Sequence, residues 1–533
     1  MRGSGNWALV GGSRLACLLT VCLLLLLHSP ASRGQSAAQI GAWSGVIPLQ
    51  VNPIAAALLP NGKVLMWSSN AQLTYEVDIG NTPSQTNTEL FDPNTLSEVV
   101  GTEAPSDMFC PGIARLPDGK VLVNGGSSSP KTTIYDPVAN TWMASGSMNV
   151  PRGYNGDVLL QTGDVFTLGG SWSGSAGIDK IGEVWSQGGW TTRTGISAEP
   201  IATDASGTPL DTDDQTNPQP PWPNGIYRSD NHAWLFAASN GRIFHAGPSP
   251  YMNWITTSGS GSITSAGNRG DDVYSINGKA VMYDIGKIIK VGGASAYVDG
   301  NVNTNTYVID INGPSANVQK PTAQMIYPRA FANAVVLPNG QVFIVGGETY
   351  AVPFSDDTSV LVPELWDPVT ETFNDSNNGP KLAQMQTPRN YHSTAVLLPD
   401  GRVFVAGGGQ CGSCATNHLN AEIYSPPYLF QTNGSPAPRP VISSAPATAQ
   451  RGTSISVKTN GPVSSFALLR LSAATHSVDN DQRRVPLQII SAPQNSYDLS
   501  VPSDPGVVSP GYYMLFAINP QGTPSVAAII PFG

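Results

Sequence analysis

The chain has 533 residues, of which 12% are charged, with 56 glycines, 45 prolines and a formal net charge of -10. That length exceeds one ordinary core and argues for two domains unless one of them is a large repeat. Low charge with abundant turn formers favours short strands over long helices, and an acidic balance without a Lys/Arg run excludes nucleic acid and anionic membrane surfaces as partners.

Residues 1–34 read as a secretory signal peptide: Arg2 and Arg14 precede an apolar run from Leu15 to Leu27, and small residues follow around Pro30-Ala31-Ser32. The run is about 13 residues, short of the roughly 20 that a spanning helix needs, and no later segment is apolar enough to span. The expected location is therefore extracellular. Asn374-Asp375-Ser376 and Asn433-Gly434-Ser435 are candidate glycosylation acceptors. Losing the signal removes Cys17 and Cys22 and leaves Cys110, Cys411 and Cys414. Cys411 and Cys414 can pair locally in an oxidising compartment. Cys110 is then the odd cysteine, and the residues alone leave open whether it is a buried thiol or a group with chemistry.

From residue 36 to 430 one phrase recurs. Leu59-Pro60-Asn61-Gly62, Leu116-Pro117-Asp118-Gly119, Leu337-Pro338-Asn339-Gly340 and Leu398-Pro399-Asp400-Gly401 each precede an apolar run; weaker copies sit at Leu160-Gln161-Thr162-Gly163, Ser239-Asn240-Gly241 and Asp284-Ile285-Gly286. Asn-Gly and Asp-Gly read as the positive-φ residues of tight hairpin turns, and the runs as strands buried on both faces. Several runs end in Gly pairs, at Gly125-Gly126, Gly169-Gly170, Gly292-Gly293, Gly346-Gly347 and Gly407-Gly408. Seven such units predict an all-β, seven-bladed kelch-type propeller. The stretch from Asp211 to Pro223 reads as an inserted surface loop. Residues 431–533 lack the repeat and alternate in short stretches such as Ser454–Lys458 and Tyr512–Ile518, which predicts an immunoglobulin-like β-sandwich.

A propeller by itself does not assign a function. Tyr154 and Cys110 lie just ahead of the third and second repeats, and Tyr391-His392 just ahead of the seventh. Equivalent positions in propeller blades surround the central channel, so these residues converge at one end of it. Adjacent strand residues point to opposite faces, so Tyr391 and His392 reach one metal only from a loop or strand end. Imidazole, phenolate and thiolate are suitable copper ligands, whereas structural zinc prefers four Cys/His ligands.

Long motifs in one order then resemble the galactose oxidase family, with its relatives the glyoxal oxidases: Asp107–Gly112, Arg152-Gly153-Tyr154, Gly169–Gly174, Tyr227–Trp234, Arg389–His392, Cys411–His418 and Ala474–Arg484. The resemblance spans the repeats and the C-terminal domain. It implies a Cys110–Tyr154 thioether that becomes a radical cofactor, and one copper ion held by Tyr154, Tyr391, His392 and His476, the last from the C-terminal domain. It further implies Tyr391 as the base, Trp172 over the cross-linked ring, a Cys411–Cys414 disulfide, and substrate contacts at Phe109, Trp172, Arg228 and Phe354. A Gln that contacts sugar in fungal galactose oxidase aligns with Val298, and the sugar-binding domain ahead of that enzyme's propeller is not expected here. The implied activity is that of a secreted, monomeric oxidase turning primary alcohols, galactose-type sugars or simpler ones, into aldehydes, with O2 reduced to H2O2. The alternatives are aldehyde oxidation of the glyoxal oxidase type and a non-catalytic kelch module that binds carbohydrate, for instance of a cell wall.

Overall fold

The computed structural model describes residues 36–69, 85–170, 173, 178–204, 206–208, 210, 232–375 and 379–533. The expected signal peptide, the 211–223 insertion, Trp172 and Arg228 lie outside them. Among the described residues, seven antiparallel sheets form the blades. The second blade is typical, with strands Gly112–Arg115, Val121–Asn124, Thr132–Asp136 and Thr141–Ser145 pairing in sequence order.

The recurring turn differs in one respect from its expected form. The Gly amide returns to the Leu carbonyl (Gly119 to Leu116, 3.0 Å; Gly401 to Leu398, 2.9 Å). Only the glycine takes a left-handed φ, from 62° at Gly286 to 93° at Gly340, except at Asn240-Gly241, where both residues do. These loops are thus turns closed by a single left-handed glycine, and the Asn or Asp serves through its side chain: Asp118 Oδ1 accepts the Lys120 amide at 3.2 Å.

The Gly pairs mark where one blade meets the next. A Cβ on Gly125 would lie 2.3 Å from Arg152 O, on Gly292 2.4 Å from Arg329 O, and on Gly346 2.1 Å from Arg389 O. On Gly407, in the last blade, it would lie 2.2 Å from Pro53 O in the first, so the same contact closes the ring. Three blades share a further device. Buried Arg152, Arg329 and Arg389 pair with buried Glu183, Glu364 and Glu422 at 2.9, 2.9 and 3.4 Å. Each also donates to the first Gly carbonyl of its own blade, at Gly169, Gly346 and Gly407. The last blade is completed from the other end of the chain, because Ala42–Trp43 and Ile47–Pro48 pair with Asn420–Ser425.

The C-terminal domain joins seven strands from Ile442–Ser444 to Ala528–Phe532 around Val457, Phe466, Leu468, Leu499 and Leu515. One excursion leaves it. Ala473–Thr475 adds a strand to the inner edge of the first blade, in register Ala55 with Thr475. The following residues satisfy other inner edges: Asp481 accepts the Arg115 amide (2.8 Å), Asn480 donates to Asp157 O and Ala233 O (both 3.0 Å), and Gln482 donates to Ala334 O (3.2 Å). Open strand edges are thereby paired by a single inserted segment. Of the two candidate glycosylation acceptors, Asn433 is exposed, whereas the Asn374 amide donates to Pro380 O at 2.7 Å.

Candidate metal centre

The repeat places the site. Six residues before the turn leucine or its equivalent stand Pro53, Cys110, Tyr154, His232, Asn277, Phe331 and His392. Five of these share a left-handed backbone, with φ of 59° at Cys110, 62° at Tyr154, 57° at Asn277, 59° at Phe331 and 66° at His392. His476, from the inserted segment, has φ 49°. Such conformations cost bulky residues about 1–3 kcal/mol each and persist only where the surroundings over-determine them. An Arg–Glu pair stands two or three residues ahead of three of them, at Arg152 before Tyr154, Arg329 before Phe331 and Arg389 before His392. The seventh blade holds one extra residue between its Arg and its strand. Counted from Arg389, Tyr391 takes the place that Tyr154 takes after Arg152; counted from the turn, His392 does. That extra residue turns both side chains toward one centre, with their rings stacked 3.8 Å apart at 29°.

Cys110, Tyr154, Tyr391, His392 and His476 are all buried. The Tyr154 and Tyr391 hydroxyls hydrogen-bond to each other. Cys110 Sγ lies 3.2 Å from His476 Nε2, and ligand atoms of Cys110, His392 and His476 fall within 4.8 Å of one another. The Tyr154 amide donates to Cys110 O at 2.9 Å, which joins the second and third blades at this point. His392 Nδ1 donates to Gly409 O at 2.5 Å, so its proton sits there and Nε2 carries the lone pair. That Nε2 is buried without a hydrogen-bond partner.

Burial pulls His392 down to about 3, and burial followed by the neighbouring His392 and His232 pulls His476 well below its ordinary value. Both imidazoles are therefore neutral at neutral pH, the form that binds metals. Burial, then Tyr297 and Cys110, holds the Tyr391 phenol well above its ordinary value. Two neutral imidazoles, one with an orphaned nitrogen, facing two phenols and a thiol form a donor set that fits copper.

Phe109 meets His392 edge-on at 5.2 Å, and Phe354 meets Tyr391 at 5.2 Å and His392 at 5.5 Å. Cys411 and Cys414 form a disulfide with Cα atoms 5.6 Å apart. Three neighbours escaped the sequence reading. The Tyr297 hydroxyl donates to the Tyr391 hydroxyl, Phe331 packs on Tyr391 at 5.2 Å, and the His232 ring lies 5.3 Å from that of Tyr154. Counting back from each turn finds His232 and Phe331. Tyr297 has a weaker signal, its place just after the Gly292-Gly293 pair at the channel end. Val298 beside it is exposed.

A family model described as galactose oxidase-like, early set domain, matches residues 439–531, and one described as glyoxal oxidase N-terminus matches residues 292–428. A galactose oxidase of Gibberella zeae is 42% identical over 507 residues, covering 92% of this chain and 70% of that protein. An aldehyde oxidase GLOX of Vitis pseudoreticulata is 33% identical over 226 residues, covering 38% of this chain and 41% of that one. Among solved structures, a fungal alcohol oxidase of the AA5 family in complex with copper superposes with a TM-score of 0.83 at 37% identity, covering 92% of this chain and 99% of that one.

Proposed function

The chain belongs to the galactose oxidase family, and from that premise we propose that it is a secreted copper-radical oxidase of primary alcohols, producing aldehyde and hydrogen peroxide. The observation that carries this reading is the convergence of Cys110, Tyr154, Tyr391, His392 and His476, drawn from four separate segments, with an imidazole nitrogen left unsatisfied in their midst. A module that only binds carbohydrate has no use for that set.

Tyr154, Tyr391, His392 and His476 would hold the metal. Copper, when bound, supplies a one-electron acceptor and a Lewis acid that orients and acidifies the substrate hydroxyl. Cys110 Sγ joins a ring carbon of Tyr154; the thiol and ring hydrogens leave as two protons and two electrons, which dioxygen takes up as peroxide. A thioether sulfur donates electron density to the phenol, so the cross-linked ring is easier to oxidise; dioxygen would take one electron from it, and the resulting radical would accept the second electron of the alcohol. Tyr391, its own phenol proton given up on binding the metal, would as phenolate take the alcohol proton, and the Tyr297 hydroxyl donates to the Tyr391 oxygen. Phe109 and Phe354 present ring edges to the substrate space. Trp172 and Arg228 belong to the same proposal as the shield of the radical and a sugar contact.

The substrate reading covers galactose-type sugars and simpler alcohols, with apolar Val298 at the rim favouring the latter. The glyoxal oxidase match over 292–428 favours a second reading, oxidation of an aldehyde to an acid at the same centre. Peroxide release from copper-loaded protein, measured with galactose, raffinose, glyoxal, benzyl alcohol and glycerol against Tyr391→Phe, separates these readings. Silence with every substrate would reject both. Intact mass after copper loading in air should fall by two hydrogens beyond the disulfide, and Cys110→Ser should lack that fall.

A further inference from the structure

Phe354 is a bulky residue with φ 66°, a conformation that endures only when its surroundings impose it. Its loop is pinned from two directions. Asn390, directly before Tyr391, donates to Ser355 O at 2.9 Å and to Ser359 Oγ at 2.8 Å. On the far side His418 Nε2 meets Asp356 Oδ2 at 3.0 Å, and Thr416 Oγ1 donates to Phe354 O at 3.4 Å. Thr416 Oγ1 is itself 3.2 Å from both Cys411 and Cys414 Sγ. The disulfide loop therefore touches the backbone of Phe354 and the carboxylate two residues on.

We propose that the His418–Asp356 contact, backed by the Cys411–Cys414 loop, positions Phe354 over the Tyr391–His392 pair and so sets specificity for alcohols with an apolar body that can lie against that ring. His418 acts through Asp356 and is a positioning residue. Alkyl, aryl and the apolar face of a sugar would use the Phe354 wall, and methanol, which has no such body, would not. The inference rests on the oxidase reading for its substrate class, while the clamp itself is a property of the polypeptide.

Two measurements test it. In metal-free protein, hydrogen exchange of amides 350–359 should quicken in His418→Ala and return to wild-type rates in His418→Gln, whose amide can still donate to Asp356. In copper-loaded protein, KM for benzyl alcohol should rise about ten-fold in His418→Ala, the scale of one lost hydrogen bond, with kcat kept and kcat/KM for methanol unchanged. Unchanged exchange, or equal losses for benzyl alcohol and methanol, would overturn the proposal. Should His418→Ala fail to fold, Asp356→Ala, which removes the acceptor, carries the same comparison. If wild-type protein releases no peroxide, the oxidase reading fails while the exchange result still decides the clamp.

Discussion

Breaking the Arg–Glu pairs one blade at a time separates the frame from the site it holds. Arg389→Met removes donors to Gly407 O at 3.0 Å and Asn420 O at 2.9 Å, and leaves Glu422 without its cation. Glu422 keeps only the Gln386 and Thr387 amides, at 2.9 and 3.1 Å. An uncompensated buried carboxylate in such a setting costs about 3–5 kcal/mol. Arg152→Met and Arg329→Met remove equivalent pairs and should cost the same. Their effects on copper should differ. Arg152 and Arg389 each stand two residues before a tyrosine of the centre, whereas Arg329 stands two before Phe331, which contributes packing alone. Urea denaturation of metal-free protein, followed by tryptophan emission, should show all three equally weakened. Copper affinity of the folded fraction should fall roughly 10–100-fold for Arg152→Met and Arg389→Met. It should stay close to wild type for Arg329→Met. If all three lose copper alike, or none loses more than about 1 kcal/mol of stability, the view that these pairs impose the strained ligand backbone is wrong.

Three further outcomes follow from the same geometry. Tyr297→Phe removes the donor to the Tyr391 oxygen and should lower kcat/KM about ten-fold or more in a peroxide assay, with the fold intact by circular dichroism. Gly407→Ala drives a methyl to 2.2 Å from Pro53 O at φ 76° and should cost several times the ~1 kcal/mol expected of Gly434→Ala, which has φ 83° but open space; thermal midpoints compare them. Glu348 is raised from 4.5 to about 8 by burial, opposed by its contact with the Val352 amide. The folded chain thus binds a proton there that the unfolded chain gives up. Its stabilising effect is full below pH 4.5 and is lost as pH rises through about 8, so the midpoints of wild type and Glu348→Gln, close below pH 4.5, should diverge over that interval with the variant the more stable.

The blades were legible because each repeats the same solution to one packing problem, a turn glycine to reverse the chain and a Gly pair to admit the neighbour. Three site residues, Cys110, Tyr154 and His392, stand on the repeat's own register and follow from counting. Tyr391 follows only once the seventh blade is seen to hold an extra residue. His476 obeys no repeat, since it comes from a segment that leaves one domain to fill the channel of another; only the resemblance indicated it. Tyr297 lies in an irregular loop, where hydrophobic period says nothing and three-dimensional proximity decides. The turn chemistry was misread in part because Asn and Asp can either adopt a left-handed backbone or cap one with a side chain, and sequence alone does not distinguish the two.

The ring is shut by residues 42–48 lying against 420–425, and its bore is filled by 473–476. A ribosome delivers these pieces in an order that forbids early completion. The outer strand of the last blade is made first and waits while six blades emerge before its partner at 420–425, and His476, the last residue of the proposed metal centre, arrives later still. On the proposed ligand set, metal capture would therefore be a terminal event in biosynthesis, since a nascent chain stalled before Ala473 carries both tyrosines and His392 but not His476. Long-range closure of this kind also slows folding, because distant segments must meet before either gains a partner.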